Sequence, residues 1–308
     1  MFLHKFKTIN GILLINKPGG FSSNNILQTV KRILNIKKAG HTGSLDPIAT
    51  GMLPICCGEA TKLSQFLLNA NKRYRVVAKL GQTTSTSDCE GKVIKVRAVD
   101  FIFTQLVKIL NSFKGNIQQI PSMYSAIKYR GKSLYKYARK GIVIPRKSRT
   151  ITIYKLEYIN YYNSFLELEI TCSKGTYIRT LIEDIGENLG CGAHVIKLHR
   201  LQVGNYPESK MITVNQLQSL NQHNAVLFLK KLSKILIPLD TSVSIFPEIN
   251  LSINEANKIK NGRKIKVFCN LSGTFLRITE GVNKKFIGIG KINETQELLP
   301  YRIVLNNQ

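Results

Sequence analysis

Gly40-His41-Thr42-Gly43-Ser44-Leu45-Asp46-Pro47-Ile48-Ala49-Thr50-Gly51 is the stretch on which the reading of this chain turns. It holds one carboxylate, one imidazole, three glycines and a proline directly after the acid. Such a segment cannot run as a regular helix and makes a poor strand. Gly43 permits a tight turn with positive φ. Pro47 steers Asp46 toward extended backbone and away from helix. A lone Asp held in a fixed pose on a loop suits a nucleophile or a base. Asp also commonly caps a turn or the next element, and spacing alone favours that plainer role.

Working outward, residues 11–18 read as a buried strand stopped by Pro18-Gly19-Gly20. Ser22 or Ser23 can cap a helix running to about Leu34, with Ile26, Val30, Ile33 and Leu34 on one face. After the Asp46 loop come a strand from Met52 to Cys57, a helix from Glu59 to Leu68 and a strand from Tyr74 to Leu80. Residues 83–91 are a polar loop, followed by a helix near 103–113 and strands near 150–160 and 165–172. Ser173-Lys174-Gly175 makes a turn into a helix from Tyr177 to Leu189. Val195 to Val203 is a further strand, and 213–234 is helical. Beyond Pro238, short runs at Lys264–Phe268, Phe275–Ile278 and Phe286–Ile289 predict a small β-rich domain. The strands are not regularly separated by helices, which argues against a doubly wound parallel sheet. The expected fold class is α+β: a mixed, largely antiparallel sheet flanked by helices over residues 1–240, then a β-rich domain over 241–308.

The charge balance points to a partner. Forty-five basic residues face 18 acidic ones, a net +27 over 308 residues. Codon bias can inflate Lys, but it does not thin out the acids. An excess this large implies a polyanion, most often nucleic acid, with a membrane surface as the competing partner. No run of about 18 apolar residues is present to span a bilayer. Met1 to Asn10 is basic without the apolar region of a signal peptide, so a cytoplasmic location is expected. Cys56, Cys57, Cys89, Cys172, Cys191 and Cys269 include no Cys-x-x-Cys pair and no zinc-finger spacing. Cys56 and Cys57 sit in an apolar run and are expected in or near the core. A reducing compartment fits, and no metal site is expected.

Residues 122–149 carry nine cations and no acid, with Tyr124, Tyr129, Tyr135 and Tyr137 interleaved. Cations neutralise phosphates and Tyr stacks on bases, so this block, including Lys136, Arg139 and Lys140, predicts contact with nucleic acid. Tyr74, in Lys72-Arg73-Tyr74-Arg75, either stacks on a base or sits half buried on a sheet. His41 is five residues before Asp46. It either pairs with the carboxylate, packs on a nucleotide, or simply hydrogen-bonds on its loop. Arg179 falls in the first turn of its helix, where a cation opposes the helix dipole. It needs an anion. Asp46 is one candidate, which would keep the carboxylate ionised; Glu183, one turn on, is the other. No dinucleotide-binding, P-loop or Ser-His-Asp pattern is present.

The motif from Gly40 through Cys56 resembles the central motif of the TruB family of tRNA pseudouridine synthases. Asn10–Pro18, Lys72-Arg73-Tyr74-Arg75 and Ser173-Lys174-Gly175-Thr176-Tyr177-Ile178-Arg179 resemble three further motifs of that family, in register. Ile120–Ala126 and Gly190–Val195 fit as well. The resemblance implies a pseudouridine synthase-type fold with a PUA-like C-terminal domain. It implies isomerisation of the T-loop uridine at position 55 of tRNA after that nucleotide is flipped from its stack. Asp46 matches the nucleophile, Tyr74 the Tyr that stacks on the base and moves a proton, and Arg179 the partner of the carboxylate. His41 matches a His packed against flipped-out nucleotides, while Tyr177 and Leu198 match pocket-lining residues. The 122–149 block matches an insertion that grips the RNA arm. No cofactor, membrane or obligate protein partner is implied, and a monomer is the default. The resemblance reverses the assignment of Asp46 that spacing alone favours. His199 stands where relatives carry Arg, which would weaken one phosphate contact.

Two rival functions share parts of this pattern. A tRNA-binding folding factor with dispensable catalysis needs the basic surface but not Asp46. A glycosidase needs a second carboxyl group flanking the bond; Asp88 and Glu90 are available, but nothing in the sequence places them near Asp46.

Overall fold

The computed structural model describes residues 9–220, 225–267, 271 and 273–304. The basic N-terminal residues before Ile9, Cys269, Phe268 and part of the 213–234 stretch lie outside them. Gly11–Lys17 is apolar at almost every position and buried on both faces, as suits a central strand. It lies antiparallel to Thr50–Cys57. The main sheet runs, edge to edge, Ile212–Thr213, Gly11–Lys17, Thr50–Cys57, Ala193–Val203, Lys72–Leu80, Phe165–Cys172, Arg149–Tyr162 and Gly115–Gln119, with Ala39–His41 added beside Thr50–Cys57. All neighbouring pairs are antiparallel except two, Gly11–Lys17 with Ile212–Thr213 and Thr50–Cys57 with Ala193–Val203. The long hairpin Arg149–Tyr162/Phe165–Cys172 turns on Asn163 and Ser164, both at positive φ, which matches the right-handed twist of its strands.

Helices cover the sheet because their sequences present one apolar face. Ser23–Leu34 starts at Ser22, whose hydroxyl accepts the Asn25 N–H, and ends at Asn35 in the left-handed region. Its Ile26, Leu27, Val30 and Leu34 pack on Leu13, Ile15, Leu53 and Ile55, with Leu217, Phe228 and Leu232 from the helices Val214–Leu220 and Ala225–Ile235. A second core joins Ile178, Leu181, Ile182 and Ile185 of the helix Ile178–Asn188 to Val76, Ala78, Leu168 and Ile170 of the sheet.

The differences from the expected elements have local causes. The segment after Cys57 is a 3-10 stretch, Gly58–Leu63, followed by a short α-helix, Ser64–Asn69. Gly58 at its start sits at positive φ, outside helical geometry. Part of the polar 83–91 loop is paired: Gln82–Thr84 forms a hairpin with Val93–Val96. The C-terminal sheet has five strands, ordered Glu248–Leu251, Phe275–Glu280, Lys285–Ile292, Glu297–Ile303 and Ile265–Lys266. Pro300 breaks the alternation that would have revealed Glu297–Ile303. The helix Ile253–Lys260 covers this sheet, and Ser252 and Glu255 cap it reciprocally. Cys56 and Cys57 are fully buried, as expected. No described helix is long and apolar enough to cross a membrane.

Candidate active site

Asp46 lies on the irregular segment between Ala39–His41 and Thr50–Cys57. Gly43 is at φ +92, as the turn requires. The Asp46 carbonyl accepts the Ala49 N–H at 3.1 Å, so the backbone, not the side chain, makes the turn. The Ser23 hydroxyl bridges to Leu45, accepting its N–H at 2.7 Å and donating to its carbonyl at 3.1 Å. Lys17, fully buried, donates to the carbonyls of Pro18, Phe21 and Pro47. Burial lowers the Lys17 pKa to about 8, against the pull of nearby Asp46.

The Asp46 side chain is thereby left free to meet Arg179. Arg179 Nε is 2.8 Å from Asp46 Oδ2, an ion pair, and Nη2 donates a hydrogen bond to Oδ1 at 3.2 Å. The same guanidinium donates from Nη1 to Asp88 Oδ2 at 3.2 Å and to the Thr86 carbonyl at 3.0 Å, and from Nη2 to the Tyr124 carbonyl at 2.8 Å. Asp46, not Glu183, is therefore the partner; Glu183 accepts the Ser87 hydroxyl instead. The Asp46 side chain keeps 36 % of its surface open. Its pKa is raised, because burial outweighs the opposing pull of Arg179, and Asp88 adds to the rise.

Asp88 answers the glycosidase reading. It does lie close to Asp46, through their shared Arg179, a proximity that nothing in the sequence pattern indicates. One oxygen is taken by Arg179, and the other accepts the Thr86 hydroxyl and the Glu90 N–H. With its side chain 4 % exposed, Asp88 is a counter-charge behind Arg179, not an acid flanking a bond.

A cavity of about 420 Å³ opens beside Asp46. Tyr74, Tyr177, Arg179, Leu198 and Arg200 line it. Of the residues singled out in the sequence, Asp46, Tyr74, Tyr177, Arg179 and Leu198 are thus brought together. His41 is not on the cavity wall. It ends the strand Ala39–His41, its Nδ1 is buried without a partner, and burial and Arg200 lower its pKa. Lys136, Arg139 and Lys140 are exposed, on or just after the short helix Leu134–Ala138. The root of their block, Ser125 to Ile127, does reach the cavity wall. Some of its aromatic faces are already occupied: Arg130 lies over Tyr129 and Arg139 over Tyr135. His199 Nδ1 is 2.7 Å from the Thr50 hydroxyl, and its Nε2 is 3.6 Å from Glu208. A larger cavity, about 660 Å³, lies beyond Lys72, but no carboxylate lines it.

Three polar groups were not singled out from sequence as parts of the site. Lys17 closes the strand Gly11–Lys17. Lys72, buried, caps the carbonyls of Leu67, Leu68 and Ala70. Arg200, 1 % exposed, donates from Nε to the Met52 carbonyl at 2.7 Å and from Nη2 to the Gly43 carbonyl at 3.0 Å. Among the described residues, no group of His, Cys, Asp and Glu is placed to hold a metal ion.

Comparison with known proteins defines the class. Residues 31–178 match the family described as "TruB family pseudouridylate synthase (N terminal domain)". Residues 179–244 match the "tRNA pseudouridylate synthase B C-terminal domain", and 247–304 match "Pseudouridine synthase II TruB, C-terminal". The chain is 57 % identical over 303 residues to tRNA pseudouridine synthase B of Buchnera aphidicola subsp. Baizongia pistaciae, covering 98 % of this chain and 99 % of that protein. It is 51 % identical over 302 residues to the Escherichia coli K12 protein of the same name, covering 97 % and 96 %. The solved structure described as "Crystal Structure of a Cbf5-Nop10-Gar1 Complex" superposes with a TM-score of 0.71 at 25 % identity, over 93 % of this chain and 79 % of that one. The fold is thus that of a pseudouridine synthase, an isomerase. The chain belongs to the TruB family of pseudouridylate synthases.

Proposed function

We propose that this chain converts the uridine at position 55, in the T-loop of tRNA, to pseudouridine. The target nucleotide is extruded into the Asp46 cavity. The Asp46 carboxylate attacks it, the N-glycosidic bond breaks, and the uracil turns and rejoins the ribose through carbon. Tyr74 stacks on the base and moves a proton, Arg179 aims the carboxylate, and Tyr177 and Leu198 close the pocket. His41 packs against the flipped-out nucleotides. Lys136, Arg139 and Lys140 hold RNA phosphates. The catalytic domain spans 1–240 and a PUA-like domain 241–308. The chain works as a monomer without a cofactor.

The observation that carries this reading is the carboxylate of Asp46, aimed by a buried guanidinium into a cavity walled by Tyr74. An RNA-folding factor needs the basic surface but has no use for that pair. The names of the relatives and the excess of cations support tRNA as substrate. Incubation with an unmodified tRNA transcript is expected to convert one uridine, that at position 55. Conversion at another position would overturn the site assignment; no conversion at any uridine would overturn the activity.

Two further outcomes follow from the geometry. Tyr74→Phe keeps the ring but removes the hydroxyl. Turnover should fall about 10²-fold or more if the group moves a proton, with RNA affinity unchanged; unchanged turnover excludes that role. Neutralising Lys136, Arg139 and Lys140 together should flatten the dependence of log affinity on log salt by about 2, since each phosphate contact contributes roughly 0.7–0.9. An unaltered slope would place these cations away from phosphate.

A further inference from the structure

We propose that Arg200 is a positioning residue for the isomerisation: it clamps both ends of the Asp46 loop and holds the Tyr74 hydroxyl toward the target base. This rests on the reading of Asp46 and Tyr74 given above.

Arg200 is a buried cation to which no ion pair is assigned among the described residues. Burying an uncompensated guanidinium is unfavourable by several kcal/mol, and an apolar residue would pack there without that penalty. Its hydrogen bonds explain why the charge is kept. The Gly43 carbonyl lies before the Asp46 segment and the Met52 carbonyl after it, so one rigid fork closes the loop at both ends. The backbone is fitted to the same purpose. Arg200 pairs with Gly51 in parallel register. Gly51 sits at φ +96, and a Cβ there would fall 2.4 Å from the Arg200 carbonyl oxygen. Any side chain at that position would push the clamp off the loop.

The second half of the inference comes from the strand register. Arg200 lies directly opposite Tyr74 on the neighbouring antiparallel strand, so the two side chains share a face. Both line the Asp46 cavity. The charge of the Arg200 guanidinium lowers the pKa of the Tyr74 phenol, against the larger rise that burial imposes. The other charged and titratable groups around that phenol are Asp46 and Cys172, with Lys72, Tyr177 and Arg179 on the same cavity wall. As the C1′–N1 bond breaks, its electron pair passes to the uracil ring. The ring then bonds to C1′ through C5, C5 loses a proton and N1 gains one, so the isomerisation is neutral overall. A fixed positive charge at the pocket wall favours the electron-rich ring without reorganising.

The test is a double-mutant cycle between Arg200 and Tyr74, followed by single-turnover pseudouridine formation, tRNA affinity and pH profiles. Arg200→Gln is expected to slow the chemical step about 10²-fold while leaving the dissociation constant for tRNA within twofold. Its alkaline limb should move to higher pH, because the phenol loses the cation that lowers its pKa. In a Tyr74→Phe background the same substitution should lose much less than it does alone, because the two act as a unit. Arg200→Lys retains the charge. It guards against a variant that fails to fold, and its alkaline limb should stay where the wild type's is while its rate falls. Additive losses with an unmoved alkaline limb, or a loss confined to tRNA affinity, would overturn the proposal. If the wild type itself forms no pseudouridine, the functional reading fails, and this inference with it.

Discussion

Arg179→Ala should fold poorly and turn over little. Arg179 joins two carboxylates, and its side chain and that of Asp88 are each only 4 % exposed. Removing one partner of a buried pair leaves the other charge uncompensated, a loss of about 3–5 kcal/mol. The Thr86 and Tyr124 carbonyls lose donors in the same change. Chemistry should suffer separately. With the guanidinium gone, nothing fixes the rotamer of the Asp46 carboxylate, and its pKa rises further because its main lowering influence is lost. The acid limb of the activity profile should therefore move upward: the ionised fraction at a given pH falls as the pKa rises. Chemical denaturation, single-turnover rates and RNA affinity separate these effects. A stable variant whose only defect is RNA binding would show that the pair does not serve the reaction.

Asp46→Asn should leave the fold intact and remove the reaction. Asn is nearly isosteric, it keeps an oxygen that can accept from Arg179, and the Asp46 backbone turn does not involve the side chain. Loss of a nucleophile typically costs about 10⁴–10⁶ in rate. Binding of tRNA should persist, because the cations proposed to contact phosphate, Lys136, Arg139 and Lys140, lie outside the cavity. In the wild type, activity should fail on the acid side with a midpoint above 3.8, the ordinary value for Asp, since burial raises the group. A midpoint at or below that value would contradict the electrostatic picture.

That Arg179 needs an anion was legible in sequence, because a cation in the first turn of Ile178–Asn188 opposes the helix dipole; the residues themselves left Asp46 and Glu183 open, and the family resemblance favoured Asp46. The central strands were legible from their apolar runs, and the helices from their faces. What stayed hidden is polar and non-local. Asp88 sits in a run of Ser and Thr that reads as loop, and its partner lies 91 positions away. Arg200 lies in a strand whose cations look like surface contacts, and its partners are backbone carbonyls 148 and 157 positions away. Backbone acceptors leave no mark in the pattern of side chains. The same holds for Lys17 and Lys72. In the C-terminal sheet, Glu248–Leu251 is short and Glu297–Ile303 is broken by a proline, so periodicity found the other three strands but not these two.

The account stands on Asp46 as the group that attacks. The most direct measurement maps, nucleotide by nucleotide, which uridine of an unmodified tRNA transcript gains a carbon–carbon glycosidic bond after a single turnover with wild-type protein and with Asp46→Asn at equal occupancy. The expected result is conversion at position 55 by the wild type and none by the variant. Conversion at a comparable rate by Asp46→Asn would contradict it.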